Sequence, residues 1–192
     1  MTNIALLRGI NVGGNQMVAM SELRALAAKL GMSKVRTLLQ SGNLVFDSSR
    51  RNAAQLEQLL EAEVARRFES AIGVFVRTAE EWKTVVARNP FVAEAASDPA
   101  RLVAMFFKEV CAVKQVSALE AAIVGPERVR AVGRHLYLVY PDGMGRSKLT
   151  NVVIEKTLGM RGTARNWNTV LKLATAANSE LRTENSELRT EN

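Results

Sequence analysis

Three stretches place hydrogen-bonding groups and glycines close enough together to hold a ligand, two of them with cations. Arg8-Gly9-Ile10-Asn11-Val12-Gly13-Gly14 closes an apolar run and opens a polar loop that also carries Asn15. Glycine admits positive φ and the close approach of another group, so such a loop after a strand suits ligand contact or tight packing. Its glycine spacing is not that of a dinucleotide-binding turn. Gln40-Ser41-Gly42-Asn43 adds neutral hydrogen-bonders, or is only turn chemistry. Gly143-Met144-Gly145-Arg146-Ser147-Lys148-Leu149-Thr150 precedes a helix and carries two cations. It fails the Walker pattern, because Lys148 does not follow a glycine. Backbone N–H groups of a glycine-rich loop beside two cations can still hold an anion. The plainer reading has solvated cations, with Ser147 or Thr150 capping the helix. Arg161, Arg165, Asn166 and Lys172 form a second basic group around Trp167, which is expected in the core rather than as a stacking platform.

Nucleophilic and metal chemistry find little support. The chain has one histidine, His135, and one cysteine, Cys111, far apart in sequence and without metal-ligand spacing. His135 follows Gly133-Arg134 and reads as a solvent-facing turn residue; Cys111 reads as a small semi-buried thiol. No metal and no cofactor is implied, although an all-carboxylate magnesium site stays open. No residue pair commits the chain to being an enzyme.

These residues must be positioned by a scaffold that 192 residues at 47% hydrophobic content can build as one large or two small domains. Mean hydropathy is −0.02, ordinary for a globular protein. Neither a signal peptide nor a run long enough to span a bilayer is present, and a lone cysteine agrees with a reducing compartment, so the expected location is cytoplasmic with no membrane contact. The net charge is +7. Residues 178–192 hold four Glu and two Arg, which leaves +9 on the remainder. A basic body favours anionic partners or merely aids solubility.

Periodicity supplies the elements. A strand over Ile4–Leu7 precedes a helix from Met20 to Leu30, stopped by Gly31; 34–47 reads as a hairpin with Ser41-Gly42-Asn43 at its turn. Asn52 to Phe68 is a second helix, Val74-Phe75-Val76 a strand, and a helix capped at Thr78 or Glu80 follows. This strand–helix–hairpin–helix–strand order is a ferredoxin-like split βαβ arrangement. In it the loop after the first strand and the first hairpin tip share one end of the sheet, so Arg8–Asn15 and Gln40–Asn43 should be neighbours. Residues 89–100 read as a linker. Leu102 to Phe107 (strand), Val113 to Ile123 (helix), a hairpin with arms 129–133 and 136–140, and a helix ending at Leu158 then repeat the pattern, with 163–166 leading into a last helix. The fold class is therefore α+β, two split βαβ units (1–88 and 101–177) with antiparallel sheets, without residue-level repeat between them. Residues 178–184 recur unchanged at 185–191. One leucine per seven is too few for a coiled-coil seam, so this tail reads as a tandem duplication or added segment, frayed or weakly helical.

Leu6 to Gly14 followed by Gln40-Ser41-Gly42-Asn43-Leu44-Val45-Phe46 resembles the bacterial family catalogued as domain of unknown function 1697. Asn89-Pro90-Phe91, Tyr140 to Gly143 with Gly145 to Leu149, and Thr163 to Val170 are similar to its later blocks, so the likeness spans roughly 1–177. It implies ferredoxin-like halves and says almost nothing about activity.

Three functional classes follow. The first is a protein binding a phosphorylated or otherwise anionic small molecule in a cleft lined by loops 8–15, 40–43 and 143–150. Its expected contacts are Arg8, Asn11, Gly13, Gly14, Gln40, Ser41, Asn43, Arg146, Ser147, Lys148, Arg165 and Asn166. The second is a basic nucleic-acid-binding module, although the strands lack the paired exposed aromatics on which such sheets stack bases. The third is an assembly module using edge strands. The oligomeric state is open.

Overall fold

The apolar runs of the sequence become the central strands of two sheets. The computed structural model describes residues 1–11, 17–49 and 51–190, the side chains of 179–190 excepted. Gly13 and Gly14 lie outside the described residues.

The first unit comprises Met1–Thr84 together with Lys172–Asn192. Its sheet holds β1 (Thr2–Leu7), β2 (Ser33–Leu38), β3 (Asn43–Asp47) and β4 (Val74–Thr78) in the order β2-β3-β1-β4, every pairing antiparallel. Helices α1 (Met20–Lys29) and α2 (Ala53–Phe68) fill the connections. Alternation decides what each strand faces. Ala5, Leu7, Leu44, Phe46, Val74 and Val76 pack with Leu23, Leu26, Leu56, Leu60 and Val64 of the two helices. The opposite face, carrying Ile4, Leu6, Val45, Phe75 and Arg77, is buried as well. Asn52 caps α2 by accepting from Gln55 N at 2.9 Å while the Gln55 side chain accepts from Asn52 N, a capping box.

The second unit is the continuous stretch Val85–Leu171. Strands β5 (Leu102–Phe107), β6 (Arg128–Val132), β7 (His135–Val139) and β8 (Gly162–Asn166) form the order β6-β7-β5-β8, again wholly antiparallel. Helices α5 (Val113–Ala121) and α6 (Asn151–Leu158) cover one face. Helix α3 (Ala79–Ala87) follows β4, and α7 (Trp167–Thr190) follows β8. Both sheets are thus split βαβ units in a mixed α+β chain.

Four details differ from the sequence reading. Strand β8 was expected only as a lead-in to the last helix. Its Gly-Thr-Ala-Arg-Asn sequence lacks alternation because the buried face carries Thr163 and Arg165 rather than apolar side chains. Residues 89–100 include helix α4 (Val92–Ser97) and a buried Phe91, whose ring lies 5.3 Å from the Arg128 guanidinium. The first hairpin turns at 39–42, with Leu39 at φ 60, and Asn43 already belongs to β3. His135 is not a solvent-facing turn residue: it opens β7, half-buried and edge-on to Phe106 with ring centroids 5.3 Å apart.

The outer edges are closed in a repeated way. The outward N–H groups of Val74, Val76 and Thr78 donate to the carboxylates of Glu61, Glu57 and Glu81 at 2.9, 2.8 and 2.9 Å. Arg77 Nη1 donates to the Val76 carbonyl at 2.7 Å. On β8 the Gly162 N–H donates to Glu155 at 2.9 Å, and Arg165 Nη1 donates to the Ala164 carbonyl at 2.8 Å. Arg77 and Arg165 are equivalent positions, each opposite the residue three before the end of its central strand, Ile4 and Ala104. Each is followed by a helix-capping residue, Thr78 or Asn166. A residue-level correspondence between the halves therefore exists at these edges.

Candidate functional site

In the first unit the loop after β1 does lie on the first hairpin tip. Leu7 N donates to the Gly42 carbonyl at 2.8 Å. A Cβ on Gly42 would sit 2.6 Å from the Ile10 side chain, so this φ 69 position requires glycine twice over. Asn11, at φ 54, is the clasp. Its Nδ2 donates to the Gln40 carbonyl (2.7 Å) and the Val18 carbonyl (2.9 Å), and its Oδ1 accepts from Val18 N (2.8 Å). Those bonds close the ends of the loop and fix it to the hairpin. Asn43 is fully buried and donates to Leu38 O (2.9 Å) and Ser41 Oγ (3.0 Å), holding the turn from inside. Arg8 is half-buried, its N–H donating to Gly73 O at 2.9 Å, and the Gln40 side chain is exposed. Both asparagines thus spend their amides on loop geometry.

In the second unit the hairpin's open end builds a cleft. Arg128 pairs with Val139 in the β6–β7 register, which brings the segment before β6 beside the segment after β7. Val124, Gly125, Pro126 and Glu127 on one side meet Asp142, Arg146, Ser147 and Lys148 on the other around about 340 Å³. That volume lies near the lower end of the ~300–1,000 Å³ usual for small-molecule sites. Ser147 Oγ donates to the Glu127 carboxylate and accepts from Leu149 N at 2.9 Å, which ties the two sides together. Thr150 caps α6, accepting from Val153 N at 3.3 Å. A short 3-10 turn over Met144–Arg146 precedes it. Among the described residues, the side chains of Asp142, Arg146 and Lys148 make no hydrogen bond or ion pair. Some other surface charges are paired, as in Arg66–Glu63, Arg101–Asp98 and Arg130–Glu120, whereas Lys29, Lys114 and Lys156 are not paired among the described residues.

Arg165 and Asn166 are placed on β8. Burial pushes the Arg165 guanidinium down to about 10; it donates to Thr163 Oγ1 (2.8 Å) as well as to Ala164 O. Asn166 Oδ1 accepts from Thr169 N and Thr169 Oγ1, both at 3.0 Å, capping α7. Trp167 is buried, with its ring 6.2 Å from that of Tyr137. Loops 8–11 and 40–43 belong to the first unit and loop 143–150 to the second. Glu127 and Asp142 escaped the sequence reading as cleft residues. The hairpin pattern held the signal, since closing arms 129–133 and 136–140 must bring Glu127 beside Tyr140–Asp142.

Among the described residues no group of three or more His, Cys, Asp or Glu could hold a metal ion, and no helix is long and apolar enough to cross a membrane. Burial raises the Cys111 thiol to about 11.

A comparison with curated proteins finds no match. Among solved structures, the chain is similar to the conserved bacterial protein SP0830 from Streptococcus pneumoniae, at 26% identity and a TM-score of 0.71, covering 91% of this chain and 97% of that one. Residues 1–137 match the model of the family described as "Protein of unknown function (DUF1697)", and the chain belongs to that family.

Proposed function

We propose that the protein binds an anionic small molecule in the cleft of its second unit, with Arg146 and Lys148 holding the anionic group. The observation that carries this reading is that both cations line one cleft with no carboxylate partner among the described residues. A phosphate or carboxylate entering the cleft would meet two charged donors that make no hydrogen bond or ion pair among the described residues, and charge-assisted hydrogen bonds are the strong ones. The asparagine clasp of the first unit supports a structural role for Asn11 and Asn43. A nucleic-acid reading draws on the +7 net charge. Burial of both sheet faces speaks against the sheet-platform mode of that reading, because bases need an open face on which to stack.

Titration calorimetry with inorganic phosphate at low salt tests the proposal. Arg146→Ala and Lys148→Ala should each weaken binding on the order of 10-fold, the size of one lost charge-assisted contact. Unchanged affinity in both variants would remove the site. A uniform, steeply salt-dependent response to every polyanion would point instead to the basic surface as a whole.

A further inference from the structure

The same cleft carries two carboxylates, and they are not used to neutralise its cations. Glu127 hydrogen-bonds only to Ser147, and Asp142 is exposed and makes no bond through its side chain among the described residues. Two acids and two bases therefore line one small cavity without a salt bridge between them. For a simple anion the two carboxylates offset part of the attraction of Arg146 and Lys148 without cancelling it. For a ligand carrying both signs the arrangement is complementary.

We propose that the cleft selects a small zwitterion, its phosphate or carboxylate held by Arg146 and Lys148 and its ammonium group by Asp142 and Glu127. This rests on the anion-binding reading above and adds the second charge. Glu127 accepts a hydrogen bond from Ser147 Oγ, and its carboxylate lies against Gly125, where there is no side chain to cover it. The segment before β6 thus presents a negative group to the cavity, while Asp142 supplies one from the segment after β7.

The test compares ethyl phosphate with phosphoethanolamine, which differ by the ammonium group, in titration calorimetry on the full chain at pH 7 and low salt. The wild type should bind phosphoethanolamine about fivefold more tightly, the size expected of contacts to two partly exposed carboxylates. Asp142→Asn, a change at an exposed side chain, should cut that preference to less than about threefold without weakening ethyl phosphate. Glu127→Gln, which keeps an oxygen for Ser147, should reduce the preference further. Equal affinity of the wild type for the two compounds would overturn the zwitterion proposal and leave anion binding standing. So would an undiminished preference in both variants. Failure of the wild type to bind either compound would overturn the anion reading and this proposal with it.

Discussion

Asn11 ties the loop after β1 to the first hairpin. Its amide and carbonyl make three hydrogen bonds across the loop and onto the hairpin, from a left-handed backbone that asparagine tolerates better than most residues. Asn11→Ala should cost roughly 2 kcal/mol in urea unfolding, from lost hydrogen bonds plus backbone strain. Asn11→Asp, which keeps only the acceptor, should fall in between. Cys111 makes a second prediction at this scale. Its thiol ionises at about 11 rather than the ordinary 9.0 because burial disfavours the thiolate. At pH 8 its thiolate fraction is on the order of 100-fold below that of a free thiol, so alkylation by iodoacetamide should be slower by at least that factor. The shift also links to stability. The unfolded chain releases this proton near 9 and the folded chain near 11, so stability fully present below pH 9 declines as pH rises through about 11. Cys111→Ala should flatten that decline in denaturant titrations. Residue identity alone marked Asn11 and Asn43 as polar loop groups. It could not show that their amides are consumed by backbone carbonyls, because that depends on Gln40, Val18 and Leu38 arriving from elsewhere in the fold.

Among elements, the edge strands are the most informative. A free edge offers unpaired N–H and C=O groups to any passing strand. On β4, α2 and the first turn of α3 turn carboxylates onto successive outward N–H groups, while Arg77 covers the carbonyl between them. An assembly mode through that edge therefore has no vacant ladder to extend. Glu57 is the key group, because it accepts from Val76 N and also lies 3.7 Å from Arg77 Nη1, both side chains buried. Glu57→Ala should destabilise the protein by about 3 kcal/mol or more, by leaving a buried arginine and a buried N–H behind. Glu57→Gln, still an acceptor, should cost less. Chemical denaturation measures both, and sedimentation would show whether the alanine variant begins to self-associate. The elements in the first half were legible because apolar alternation and the hairpin turn agreed. Strand β8 was not, since an edge strand whose buried positions hold Thr163 and Arg165 carries no apolar period to detect.

At the scale of the molecule, strand order repeats while sequence hardly does. The two central strands, Ile4–Leu7 and Leu102–Phe107, were both visible as apolar runs, and each became the second-to-last strand of a four-stranded sheet. The chain's assignment to units was harder to foresee. The last helix begins in the second unit with Trp167 and continues in the first from Lys172. There Arg36 Nη2 donates to the Ala176 carbonyl at 2.7 Å, and Leu173 and Ala177 are buried. The tail repeat drew attention to residues 178–192, but Leu173 and Ala177, just before it, already carry buried apolar contacts. Removing everything from Lys172 should lower the thermal midpoint by ~10 °C or more, because the buried side chains of Leu173 and Ala177 go with it. A ribosome reads this chain from one end, and that order has a consequence. The second unit is one uninterrupted segment and can complete itself while synthesis continues. The first unit, although most of it is made earlier, must wait for its final helix. Its nascent strands would then spend the whole interval of translating 85–171 without Leu173 and Ala177, the period in which a chaperone would find them.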